Sequence, residues 1–281
     1  MVFDYAKGGD LSHWVDKNYR EFNWLKKLLL LWNIIKGLGE IHQKQMVHRD
    51  FHTGNILLHD VDINDDNIVH ISDMGLCGDV SNNDQNNIYG VLPYVAPEVL
   101  KGKPYTKAAD IYSFGMIMYF VASGEQPFIN CEYNQYLMIN ICEGDRPEIN
   151  VPKAPKYYID LMNKCWDSNP DNRPDANKIF ELINLFYRSY KDNESDFKRN
   201  MKIKKEQQHY EIERPFEAAE EYRRSNLDKV LLLIHKPLIN LNYLILFQKV
   251  SLLILQHNKF LKLVIFYLKL YIILMIQMNK D

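Results

Sequence analysis

Apolar positions recur at helical spacing through Leu25, Leu28, Leu29, Trp32, Ile35 and Leu38, and Asn23 stands where an N-cap belongs. This pattern predicts a helix with a core-facing stripe that leaves Lys26, Lys27 and Lys36 off it. Met46-Val47 and Ile56-Leu57-Leu58 are apolar runs of strand length. The Asp- and Asn-rich stretch 60–67 reads as a turn, with a further strand over Ile68 to Ile71. The polar stretch from Leu76 to Tyr89 predicts an exposed loop. From Ile111 to Val121 the chain is apolar nearly all round, as a helix buried on every side would be. Gln126-Pro127-Phe128 ends it in a turn. A last helix runs through Ile179, Leu182, Ile183 and Phe186, with Asp175 as its cap. At the amino terminus, Met-Val-Phe-Asp-Tyr reads as a strand that Lys-Gly-Gly-Asp breaks, and Gly8-Gly9 also fits a plain turn.

Beyond residue 190 the pattern changes. Residues 191–229 are dense in charge and predict a solvated linker with helical patches around Phe216 to Arg224. Residues 230–281 switch to Leu and Ile and contain no Gly, Ala, Thr, Arg, Glu or Trp. Their longest uncharged run, Pro237 to Gln248, falls short of the roughly 18–20 residues of a membrane span. Three readings of this tail stand side by side. It is translated AT-rich non-coding sequence, an interfacial membrane-anchoring helical pair, or a partner-binding helical extension.

The 281 residues allow one large domain or two smaller ones. A net charge of −2 and a pI of about 6.5 give no electrostatic case for nucleic acid. Cys77, Cys131, Cys142 and Cys165 form no CxxC pair and read as reduced thiols of a cytoplasmic protein. The amino terminus lacks the basic leader and apolar run of a signal peptide. His42, His52, His59 and His70 have no metal-like spacing and read as surface or hydrogen-bonded residues.

The chemistry concentrates in His48-Arg49-Asp50-Phe51-His52-Thr53-Gly54-Asn55, where a carboxylate is followed by a carboxamide at fixed spacing. Asp73-Met74-Gly75 comes at the end of a predicted strand. Asp73 offers the hard oxygen that Mg²⁺ prefers, and Gly75 allows a sharp turn after it. Ala96-Pro97-Glu98, Asp110, Cys165-Trp166 and Asn172-Arg173-Pro174 follow in order.

This succession, H-R-D-x-x-x-x-N, then D-x-G, then A-P-E, resembles the large lobe of eukaryotic protein kinases over residues 1–190. The Cys-Trp and Arg-Pro pairs point to the tyrosine-kinase-like branch. The resemblance implies a mainly α fold with short strands around the catalytic loop, lacking most of the β-rich small lobe, plus an irregular or helical extension. It implies ATP-dependent phosphoryl transfer to the hydroxyl of a protein substrate in intracellular signalling, with ATP and Mg²⁺ as cofactors. Membrane association would come only through the 230–281 tail.

By the same resemblance Asp50 accepts the substrate proton, and Asn55 and Asp73 hold Mg²⁺. Phe3 lies behind the adenine, Asp4 to Ala6 form the hinge at its edge, Asp10 sits near the ribose, and Leu57 belongs to the same nucleotide site. His48 packs beneath Met74 as a structural residue, Asp110 holds the loop backbone, and Glu98 pairs with Arg173. Arg49 would receive a phosphate on Ser81 or Tyr89, if that loop is not simply an unmodified surface.

Two positions depart from the family pattern. His52 stands where serine/threonine kinases carry Lys, and Val91 where they carry Thr. His52 still offers an N–H to a phosphate or to Asp50, and serine/threonine specificity stays ahead of tyrosine. No G-x-G-x-x-G loop and no lysine-bearing strand precede the hinge. This predicts an incomplete chain with weak ATP binding and little activity by itself, or alternatively an inactive half-kinase that serves as a scaffold.

Overall fold

The computed structural model describes residues 6–59, 69–79, 88–149, 153–191 and 207–228. The expected first strand with Phe3 and Asp4, the 60–67 turn, Ser81 and the 230–281 tail lie outside the described residues.

Local capping sets the first half of the lobe. Strand β1 (Gly9–Asp10) leads into α1 (Leu11–Asn18), whose first turn is capped by Asp10 Oδ1 accepting His13 N–H at 3.0 Å. Helix α2 (Trp24–Gln43) starts at the expected cap, with Asn23 Oδ1 accepting Lys26 N–H at 2.9 Å. Four short strands follow: β2 (Met46–Val47), β3 (Ile56–Leu58), β4 (Val69–Ile71) and β5 (Gly78–Asp79). They form an antiparallel sheet ordered β1-β3-β4 and a separate β2-β5 ribbon. The strands thus bracket the His48–Asn55 loop.

The rest is helical: α3 (Pro97–Leu100), α4 (Lys107–Ser123), α5 (Gln135–Glu143), α6 (Lys156–Cys165), α7 (Ala176–Lys191) and α8 (Gln207–Ser225). Every residue from Ala109 to Ser123 is buried, as the all-round apolar pattern of α4 requires. Helix α7 lies along α2 and α6 packs on α4, where Tyr158 Oη donates to Met118 O at 2.6 Å. Asp175 caps α7 as expected, accepting Lys178 N–H at 2.8 Å. Among the described residues no helix is long and apolar enough to cross a membrane.

Two expectations are corrected together. The stretch 191–229, read as a solvated linker with helical patches around Phe216 to Arg224, does carry a helix there, α8, but α8 docks on the lobe instead of lying in solvent. Phe216 is fully buried between Trp24 (ring centroids 5.5 Å apart), Phe186 and Tyr190 (5.8 Å each). Glu220 accepts the Trp24 N–H at 3.1 Å, satisfying one of the donors that the start of α2 leaves unpaired. Arg223 clamps Glu220 through two bonds of 2.7 and 2.9 Å and reaches Arg20 O at 3.1 Å. Burial alone would raise the Glu220 pKa, but Arg223, the Trp24 N–H and Arg224 outweigh it and hold the carboxyl below its ordinary value. The Glu220 and Arg223 charges of α8 are therefore spent on the lobe and on each other, while Arg214, Glu217, Glu221 and Arg224 stay exposed.

Lys27, expected off the buried stripe, is 1 % exposed. Its Nζ donates to Ala122 O at 3.0 Å and sits 5.0–5.6 Å from the ring centroids of Trp24, Phe22 and Tyr19. Burial pushes its pKa down to about 7, and the nearby Arg223 pushes the same way against the opposing Glu220.

The folded lobe therefore resists protonating Lys27, while the unfolded chain binds that proton up to about pH 10.5. The resulting penalty is complete below about pH 7 and is relieved as the pH rises towards 10.5. Lys27→Met should remove this rise in stability, which amounts to a few kcal/mol. Urea unfolding midpoints of both proteins between pH 7 and 10 measure it, and equal slopes would refute it.

Candidate active site

The loop that carries the candidate chemistry hangs on one buried carboxylate. Asp110 lies in the first turn of α4, where the helix dipole favours a negative charge, and Thr106 Oγ1 caps that turn. Its Oδ2 accepts His48 N–H at 2.8 Å, and its Oδ1 accepts Arg49 N–H at 3.1 Å. His42, from the end of α2, adds Nε2 at 2.9 Å to Oδ2. These contacts hold Arg49 in the left-handed region, at φ 71°. The Arg49 guanidinium lies against Gly78 of β5.

His48 is fully buried and both its ring nitrogens are engaged. Nδ1 accepts Asp50 N–H at 3.3 Å, and Nε2 lies 3.0 Å from Ser72 O. A ring so committed is structural. It packs edge-on against Phe51, with centroids 5.4 Å apart. The expected cover by Met74 is not formed. Met74 is 42 % exposed and its sulfur accepts from Cys77 Sγ at 3.4 Å. A tight turn over Met74–Leu76 follows the left-handed Asp73 and carries the side chain outward.

Asp50 is 6 % exposed. Its Oδ1 is shielded from solvent and lies 3.2 Å from His52 Nε2. Gly90 backs the same oxygen. Its φ of 99° and a would-be Cβ only 3.3 Å from Oδ1 both call for glycine.

Asn55 donates its side-chain N–H to Asp50 O at 2.8 Å, which turns its amide oxygen to the other side. In the β3–β4 register Ile56 faces Ile71, so Ser72 falls opposite Asn55 and donates to its carbonyl at 2.8 Å. Asp73 is the next residue. It is exposed and left-handed, at φ 58° and ψ 48°. Strand pairing thus brings Asp50, Asn55 and Asp73 to one end of the sheet, and carboxylate and amide oxygens suit a hard divalent cation.

The residues expected around the nucleotide also meet through the sheet. Leu57 pairs with Asp10, and Gly8 N–H donates to Leu58 O at 3.0 Å, so the 6–10 segment lies along β3. Asp10 spends one oxygen on capping α1, and Ala6 O accepts Gly9 N–H at 3.1 Å in the turn before it.

Glu98 and Arg173 form a buried fork with bonds of 2.7 and 2.8 Å. Arg173 also donates to Ala108 O and Asp167 O, at 2.8 Å each, and stacks over Tyr112.

Several supports escape sequence reasoning. Gln126 donates to Ser12 Oγ at 2.8 Å and accepts from Tyr94 Oη at 2.7 Å, while Ser12 donates to Thr53 Oγ1 at 2.8 Å. Tyr105 Oη accepts Tyr89 N–H and donates to Tyr89 O, pinning the end of the segment before Gly90. These partners lie far apart in sequence and form no motif. Only the polar turn at Gln126 hinted at any of them.

Residues 1–183 match the family model described as protein tyrosine and serine/threonine kinase. The chain is 33% identical over 192 residues to the probable serine/threonine-protein kinase roco8 of Dictyostelium discoideum, a match covering 66% of this chain and 10% of that protein. It is 27% identical over 195 residues to serine/threonine-protein kinase STY17 of Arabidopsis thaliana, covering 69% and 33%. It is 29% identical over 209 residues to the human receptor-interacting serine/threonine-protein kinase 1, covering 67% and 30%. The chain spans a third or less of the length of these relatives.

Asp110→Ala leaves the His48 and Arg49 N–H groups buried without their acceptor. It should destabilise the lobe by about 3–5 kcal/mol, as should Arg173→Ala, which strands the Glu98 charge. Chemical denaturation measures both. Arg173→Lys should recover little, because an ammonium cannot fork across two carboxylate oxygens.

Proposed function

The chain belongs to the protein tyrosine and serine/threonine kinase family, and on that premise we propose that it carries the phosphotransfer centre of a serine/threonine kinase of the tyrosine-kinase-like branch. One observation carries the reading. The β3–β4 register and the Asn55–Asp50 bond set an acceptor carboxylate and two metal-type oxygens around a single strand pair. The names of the relatives favour Ser/Thr, and the Cys165-Trp166 and Arg173-Pro174 pairs favour the branch.

In this reading Asp50 accepts the proton of the substrate hydroxyl and aligns the oxygen for attack on the γ-phosphate. Asn55 and Asp73 hold Mg²⁺, which supplies neutralising charge to the ATP phosphates. Ala6, Asp10 and Leu57 line the floor under the nucleoside. His48 and Asp110 keep the loop rigid so that these groups need no rearrangement at the moment of reaction.

A second reading rests on a sequence fact. The 281 residues contain no G-x-G-x-x-G loop to cover the phosphates. In that reading the lobe serves as a docking surface for other proteins and not as a phosphotransferase.

Thermal unfolding with Mg·ATP separates the two. At ATP near its Kd the enzyme reading predicts about 0.4 kcal/mol of stabilisation, or roughly a 1 °C shift. Asp73→Ala should abolish that shift. Asp50→Ala should keep it while lowering phosphotransfer at least about 100-fold. No shift at millimolar ATP would sink the enzyme reading for this chain.

A further inference from the structure

Two histidines that lie 11 residues apart in sequence meet beside the end of β3. In the β3–β4 register His70 stands opposite Leu57, and Val69 opposite Leu58. Side chains alternate along a strand, so His59, two residues past Leu57, falls on the His70 face of the sheet as its diagonal neighbour. Leu58, between them in phase, is buried on the other face. Strand β1 runs along the far edge of β3, with Gly9 opposite Leu58, so the backbone leading to His59 is braced on both sides.

The two rings present the same atom to each other. His59 Nε2 and His70 Nε2 are 2.8 Å apart, the ring planes cross at 83°, and His70 is open to solvent. One ring supplies the hydrogen between them and the other accepts it. A cation bound at both nitrogens takes the place of that hydrogen, which moves to Nδ1 of its own ring, so no net proton is released. The spacing fits a chelate. Metal–imidazole bonds of about 2.0 Å set two nitrogens about 2.8 Å apart at a right angle, against about 3.3 Å in a tetrahedral site. Nearly perpendicular planes keep the rings from colliding around a shared ion. Among the described residues no group of three or more His, Cys, Asp or Glu side chains could hold a metal, so water completes the shell. Right-angled nitrogen and oxygen ligands suit Cu²⁺ and Ni²⁺.

We propose that His59 and His70 chelate a divalent transition-metal ion, Cu²⁺ or Ni²⁺, through their two Nε2 atoms, and that the ion clips β3 to β4. The proposal is independent of the phosphotransfer reading, whose Mg²⁺ calls for oxygen ligands. The clip would close on the strand that leads into Ser72 and Asp73. Neither histidine forms a recognisable spacing in the sequence, because the antiparallel register alone makes them neighbours.

The test adds one equivalent of Cu²⁺ to the full chain and reads electron spin-echo modulation, which counts the imidazoles on the ion. The expected result is two imidazoles in the wild-type chain and one in His59→Gln and in His70→Gln. Each substitution should weaken Cu²⁺ binding at least about tenfold in calorimetric titration. His13→Gln, at an exposed histidine elsewhere, should change neither readout. One imidazole in the wild-type chain, or an affinity that neither substitution changes, overturns the proposal and assigns the ion to another histidine.

Thermal unfolding supplies the second arm. Ni²⁺ at about a hundredfold excess over its Kd should raise the wild-type Tm by about 5–10 °C, because the ion bridges two strands that separate on unfolding. Neither Gln variant should show that shift. An ion that binds both rings and leaves Tm unchanged would overturn the clip.

Discussion

The Asp110 carboxylate is the contact on which the lobe's chemistry hangs. Burying a charge at 1 % exposure costs several kcal/mol unless donors replace water. Here the donors are the His48 and Arg49 amides and the His42 ring, the very groups that fix the course of the His48–Asn55 loop. The carboxylate and the loop therefore satisfy each other. Neither the left-handed Arg49 nor the His48 ring could hold its place against a solvated alternative without that acceptor. Because Asp110 opens the most buried helix of the fold, the loop inherits the rigidity of the core.

A division of labour follows along the loop. His48 and Asn55 spend ring nitrogens and amide hydrogens on the backbone, while under the proposed function the oxygens of Asp50, Asn55 and Asp73 carry the chemistry. The strained φ of Asp73 fits that pattern, since unfavourable backbone angles persist where surrounding structure enforces them for function. Preorganisation comes from hydrogen bonds between strands only two or three residues long. Such strands would not survive alone, and the helices beneath them supply the stability.

What the sequence revealed had local causes. Asn23 and Asp175 announced helix starts because a cap and its target lie three residues apart. The all-round apolar α4 showed itself in composition. Asp50, Asn55, Asp73, Asp110, Glu98 and Arg173 were legible only because their spacing matches a family pattern. Pairings that needed a distant partner were hidden. His42 looked like any helix-end histidine until Asp110 met it, and Gly90 like any loop glycine until Asp50 lay beside it. Lys27 is in register with a polar face, and only the arrival of α8, Ala122 and Tyr19 buries it. Helix α8 was hinted at around Phe216 to Arg224, but its docking was obscured by its charge, because composition counts ionic groups and does not see that Arg223 and Arg224 bind Glu220. Met74 was misplaced by analogy with a stiffer aromatic residue.

The bond from Trp24 to Glu220 spans 196 residues, and Arg223 reaches back across 203 to Arg20. A ribosome adding about 5–20 residues per second would leave the start of α2 waiting roughly 10–40 s for the segment that closes it. For most of that interval the start of α2 has no aromatic partner beside it, and only over the last 30 or so residues, about 2–6 s, do Trp24, Phe186 and Tyr190 together present an aromatic trough with nothing in it. The lobe is thus a late-closing nascent chain, whose first long helix is completed only when α8 emerges.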